Sequence, residues 1–112
     1  MARTELIAKA TRIEVMQSKP DNKELIVCAV SVGDMVFVSF PGEPFTAVGR
    51  QLKENSPFAL TIPACCANGY EGYYPVASAF SEGGYEALSS RYIIGTAEML
   101  LDASSEIIKA LK

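Results

Sequence analysis

The sequence predicts a mixed α/β fold: a small mixed sheet holding an antiparallel hairpin and a strand-helix-strand unit, packed by N- and C-terminal helices. Three observations carry that expectation. Leu25 to Val32 reads L-I-V-C-A-V-S-V and Met35 to Phe40 reads M-V-F-V-S-F, two apolar runs of strand length separated only by Gly33-Asp34. Phe45, Val48 and Leu52 then recur at helical spacing, and Phe58 to Ile62 returns to a short apolar run. Near the other end Ile93, Ala97, Leu100, Leu101, Ile108 and Leu111 form one apolar stripe on a helix from about Tyr92 to Leu111.

Each element has a local reason. Over Thr4 to Gln17, Leu6, Ile7, Ala10 and Ile13 share a face while Arg3, Glu5, Lys9, Arg12 and Glu14 lie mostly elsewhere, which predicts an amphipathic first helix. Ser18-Lys19-Pro20-Asp21-Asn22 supplies the turn that ends it. Leu25 to Val32 is apolar nearly throughout, as expected of a strand covered on both faces, and pairs back with Met35 to Phe40 through Gly33-Asp34. The second helix follows Glu43, with Pro44 at its first position, and ends at Asn55 in a left-handed conformation before Pro57. Gly49 within it implies close packing against the sheet. A strand at Phe58 to Ile62 would then lie parallel to Met35 to Phe40.

Composition narrows the function. The chain has 112 residues, enough for one core and one domain, or a piece of a larger one. A net charge of −3 with scattered basic residues argues against a nucleic-acid partner, because phosphate binding concentrates Lys and Arg on one face. No apolar run approaches the roughly 20 residues of a transmembrane helix, and the first residues lack the apolar block of a signal peptide. As written, the chain reads as cytoplasmic. Three cysteines, two of them adjacent, make no disulfide framework; Cys28 reads as a buried small hydrophobe, and burial is also the expectation for Cys65-Cys66 over a soft-metal site or a redox pair. With no histidine, Ser-His-Asp and Cys-His catalysis are excluded, leaving carboxylates and tyrosines to act.

The candidate site begins at Phe40-Pro41-Gly42-Glu43-Pro44-Phe45-Thr46, where a strand turns into a helix. Glu43 stands at that junction, and the local sequence supports two readings: a helix cap complementing the dipole, or a functional carboxylate at the carboxyl end of a strand. Downstream, Pro63 to Ser90 interleaves glycines with aromatics, including Asn68-Gly69-Tyr70-Glu71-Gly72-Tyr73 and Gly84-Tyr85-Glu86. Long irregular stretches of this kind tend to be functional.

In order and spacing, these segments resemble the C-terminal part of the catalytic domain of the neutral/alkaline, non-lysosomal ceramidase family, bacterial ceramidase-like members above all. The resemblance spans nearly the whole chain. It implies a zinc-dependent hydrolase that cleaves the amide bond of ceramide, or a related lipid amide, to sphingosine and a fatty acid. It implies Glu43 and Tyr73 as metal ligands and Tyr85 as a catalytic group that orients substrate or stabilises the oxyanion. Tyr70, Tyr74 and Phe80 are expected to pack beneath the loop. The family's two histidine ligands lie upstream of the matching region, so the chain alone is expected to be inactive, a fragment or split-gene product associating with an upstream catalytic segment. The alternative is a non-catalytic α/β remnant that acts by partner binding or as a homo-oligomer through its sheet edge and apolar surface.

Overall fold

A computed structural model describes the backbone of residues 2–12 and 21–112, and side chains from Glu24 onward. Its principal sheet has four strands in the order β1-β2-β3-β5: β1 (Ala2–Arg12), β2 (Asp21–Val32), β3 (Met35–Ser39) and β5 (Leu60–Ala64). Between β3 and β5 lie the two-residue strand β4 (Glu43–Pro44) and helix α1 (Thr46–Asn55). After β5 come β6 (Tyr73–Tyr74), the short helices α2 (Ala77–Glu82) and α3 (Tyr85–Ser89), and the long helix α4 (Thr96–Leu111).

The hairpin and the strand-helix-strand unit both form. β2 and β3 pair antiparallel, Val32 opposite Met35 and Cys28 opposite Ser39, with Gly33 at φ 58 making the turn. β5 pairs parallel to β3, Met35 opposite Leu60 and Ser39 opposite Ala64, two residues later in sequence than the apolar run predicts. This is a mixed sheet with helices, the α/β class the sequence implies.

The N-terminal helix is not formed. Ala2–Arg12 is strand β1, antiparallel to β2 from Ala2 opposite Ser31 to Arg12 opposite Asp21. The segment carries two periods at once, since Ala2, Thr4, Leu6, Ala8 and Ala10 also alternate with Arg3, Glu5, Ile7, Lys9 and Thr11. Pairing with the free backbone edge of β2 satisfies donors and acceptors that an edge strand would otherwise leave unmet. The remainder of that expected helix, 13–17, and most of the turn, 18–20, lie outside the described residues; Asp21 and Asn22 belong to β2.

Helices α1 and α4 lie on one face of the sheet. Leu25, Val27 and Ala29 of β2 and Val36 and Val38 of β3 meet Val48 and Leu52 of α1 and Ala97, Leu100, Leu101, Ile107 and Ile108 of α4 in one buried cluster. Ser104 is small enough to sit within this contact, donating its hydroxyl back to the Leu100 carbonyl at 2.8 Å. Helix α4 starts at Thr96 because Gly95, at φ 101, turns the chain, so Ile93 precedes the helix instead of joining its stripe. The expectation that Leu25 to Val32 is covered on both faces fails: Ile26 and Val32 are exposed, with Phe37 and Leu60 beside them on the face away from the helices. Gly49 faces Pro63 at an ordinary distance, 3.5 Å from where a Cβ would stand, so no unusually close approach explains it. Asn55 stays helical, and Ser56 closes α1 in an extended conformation.

Candidate functional site

Two turns lock together to build the site. After β3 the chain bends at Pro41-Gly42, and the segment from Ala64 to Gly72 folds against it through backbone hydrogen bonds. Phe40 N–H reaches the Ala64 carbonyl at 2.9 Å, Cys66 N–H the Gly42 carbonyl at 2.8 Å, Ala67 N–H the Phe40 carbonyl at 3.0 Å and Glu71 N–H the Pro41 carbonyl at 2.8 Å. Gly42 allows the contact: a Cβ there would stand 2.4 Å from the Gly72 carbonyl oxygen and 2.6 Å from the Tyr74 ring. Tyr74 is fully buried, stacked at 5.1 Å on Tyr92, and donates its hydroxyl to the Pro41 carbonyl at 3.0 Å.

Against this support, Glu43 does not cap α1. The residue before the helix is Phe45, with no side-chain cap, and Glu43-Pro44 forms a parallel bridge with Tyr73-Tyr74 instead. Glu43 N–H donates to the Gly72 carbonyl at 2.8 Å and Phe45 N–H to the Tyr74 carbonyl at 3.3 Å. Pro44 sits between these two donors, where the bridge asks for no N–H, and the pull of the bridge keeps it extended and out of the helix. Of the two local readings, the cap is thereby removed.

Glu43 and Tyr73 are direct register partners, on adjacent strands. Tyr85, at the start of α3, meets the Tyr73 ring edge-on, with centroids 5.9 Å apart. A cavity of about 450 Å³ opens beside them, lined by Glu43, Pro44, Phe45, Thr46, Ala47, Tyr73 and Glu86. All three residues singled out by sequence thus stand together. The nearby Glu43 charge raises the pKa of the Tyr73 phenol above its ordinary value, with smaller contributions from burial and Tyr85.

Two further groups belong to the cluster. Glu86 lines the cavity. Tyr70, expected to pack beneath the loop, is instead 65% exposed and donates its hydroxyl to Glu43 Oε2 at 3.3 Å. Glu43 is again the largest cause of its raised pKa. The expectation fails because Asn68, Gly69 and Gly72 all take positive φ, turning the 68–72 segment outward across the Pro41–Glu43 turn. For Tyr74 packing holds, and Phe80 is half-buried. Cys65 and Cys66 are exposed, not buried, since they form the turn that meets Gly42. Partial burial, then Cys66 and Glu43, raise the Cys65 thiol pKa, which disfavours a reactive thiolate. Cys28 is buried as expected.

Whether these residues suit a zinc ion turns on the donor set. A carboxylate and a phenol on paired backbone positions are both oxygen donors, and the Glu43 charge is the largest cause that opposes ionisation of the phenol. A divalent cation between them reverses that balance, since it favours both anionic forms at once. The pair therefore fits as part of a site. Catalytic zinc usually has three protein ligands, so Glu43 and Tyr73 make up only part of such a set. No protein-family model matches the chain, and no curated protein matches it.

Proposed function

We propose that this chain is the C-terminal portion of a zinc-dependent amide hydrolase of the neutral ceramidase kind, acting on a lipid amide such as N-acylsphingosine. The observation that carries the reading is the register pairing of Glu43 with Tyr73, residues 30 positions apart in sequence that the resemblance alone marks as ligands. Glu43 and Tyr73 would hold the metal. When bound, zinc supplies the Lewis acid that polarises an amide carbonyl.

The remaining work falls to the chain. Tyr85, 68% exposed, carries a phenol on a ring packed edge-on against Tyr73, and would serve as a hydrogen-bond donor to the oxygen that gains negative charge as the amide is attacked. Edge-on contact with Tyr73 limits the angles its ring adopts. Pro44, Phe45 and Ala47 give the cavity an apolar wall suited to the hydrocarbon next to the scissile bond.

The test is to express the chain with an upstream histidine-bearing segment, then measure zinc content and N-acylsphingosine hydrolysis. The completed protein should bind one zinc and turn over substrate, and Glu43→Ala and Tyr73→Phe should each abolish turnover. A completed protein without zinc, or a Glu43→Ala variant with both properties intact, rules the reading out.

A second reading, a non-catalytic α/β module that associates through its surface, has one observation in its favour. Ile26, Val32, Phe37 and Leu60 leave an apolar sheet face open to solvent. The two readings share this face, which in the first is covered by the upstream segment and in the second by a copy of the chain or a partner.

A further inference from the structure

We infer that Tyr70 is a positioning residue for the Glu43 carboxylate: it fixes one oxygen through its hydroxyl and leaves the other turned toward Tyr73 and the cavity. The inference rests on the reading of Glu43 and Tyr73 as metal ligands. Tyr70 Oη lies 3.3 Å from Glu43 Oε2, a contact across 27 residues of sequence. A carboxylate accepts through both oxygens, so a donor on Oε2 leaves Oε1 available.

The loop that carries Tyr70 is fixed on both sides of it. Glu71 N–H is bonded to Pro41, Cys66 N–H to Gly42, and Asn68 Nδ2 to Ser39 Oγ at 3.3 Å. The same turn that holds Glu43 therefore holds the base of Tyr70, so the two side chains are referenced to one frame. The ring contributes little to the core, being 65% exposed, which separates its role from packing. Ligating carboxylates are commonly held by such an outer hydrogen bond, and its loss typically costs roughly 10–100-fold in metal affinity or activity.

The experiment uses Tyr70→Phe, which removes only the hydroxyl, with Glu43→Gln as reference. On this chain, NMR three-bond couplings of selectively labelled glutamate report the Glu43 side-chain rotamer. On the protein completed with its upstream segment, competition against a chromophoric chelator reports affinity for zinc ion alone. The expected result is one dominant Glu43 rotamer in the parent, averaged couplings in Tyr70→Phe at unchanged melting temperature, and roughly 10–100-fold weaker zinc binding. Unchanged couplings, or averaged couplings with unchanged zinc affinity, overturn the positioning role. If Glu43→Gln binds zinc as the parent does, the ligand reading itself fails and takes this inference with it. Loss of binding in Glu43→Gln beside full binding in Tyr70→Phe spares the reading and rejects the inference alone.

Discussion

At the scale of single residues, Gly42 decides whether the candidate site exists. Its carbonyl accepts from Cys66, and the space where its side chain would lie is filled by the Gly72 carbonyl and the Tyr74 ring. A methyl group at 2.4 Å from a backbone oxygen cannot be absorbed by a side-chain rotation, so one of the two turns must move. Moving either strains the bond from Glu43 N–H to Gly72, and with it the Glu43–Tyr73 bridge. Gly42→Ala should destabilise the fold by about 1–3 kcal/mol, the usual cost of forcing extra volume into a packed place. Chemical denaturation measures it. Gly49→Ala, whose new methyl meets only Pro63 at 3.5 Å in a helix interior, should instead gain stability, since alanine there is favoured by roughly 0.5–1 kcal/mol. A Gly42→Ala variant as stable as the parent shows that the two turns are not locked as described.

At the scale of elements, the C-terminal helix is tied to the β2–β3 turn by charge. Lys112, just beyond α4, donates to Asp34 Oδ1 and places its ammonium 4.9 Å from the centre of the Phe58 ring. The Lys112 hydrogen bond is the largest cause holding the Asp34 carboxyl below its ordinary value of 3.8. A depressed carboxylate contributes its stability above the unfolded value and loses it as pH falls through the folded one. Asp34→Asn should therefore lower the melting temperature near neutral pH, with the gap to the parent closing as pH drops below 3.8 and narrowing in high salt. A gap that persists at low pH assigns the effect to packing instead. The elements also show where the sequence was readable. The β2–β3 hairpin, α1 and β5 could be read because apolar runs or a helical period meet a turn signal at Gly33 or Pro57, although β5 lies two residues later than its run; α4 could be read from its apolar stripe, but not its start after Gly95. Strand β1 could not, because its residues satisfy both periods and the free edge of β2 chooses between them. The same limit applies within the site: Glu43 looked like a cap from its neighbours, and only a partner 30 residues on makes it a strand residue. Tyr70 was missed since the backbone turn that sends it outward depends on contacts with Pro41 and Gly42.

At the scale of the molecule, the sheet is covered on one side. Alternation sends Leu25, Val27, Val36 and Val38 into the helices and Ile26, Val32, Phe37 and Leu60 the other way, so the open face is apolar over β3, β5 and β2 from Ile26 onward, while Arg3, Glu5 and Lys9 of β1 stand in register with Val30, Cys28 and Glu24 at its edge. No described residue of that face in β2, β3 or β5 between Leu25 and Val32, Met35 and Ser39 or Leu60 and Ala64 is charged. Sheets with such faces are stable when a second layer covers them, and both functional readings require one. Phe37 lies at the centre, opposite Val30 on one side and Ile62 on the other, and is 41% exposed. Placing a charge there separates folding from association. Phe37→Lys should change the stability of the chain itself by no more than about 0.5 kcal/mol, as expected for a substitution on the surface. The parent should sediment with a concentration dependence that Phe37→Lys abolishes, and the substitution should weaken pairing with an upstream segment. If Phe37→Lys unfolds the chain, the face is already part of its core; if parent and variant sediment alike at every concentration, the face is not where this molecule meets a copy of itself.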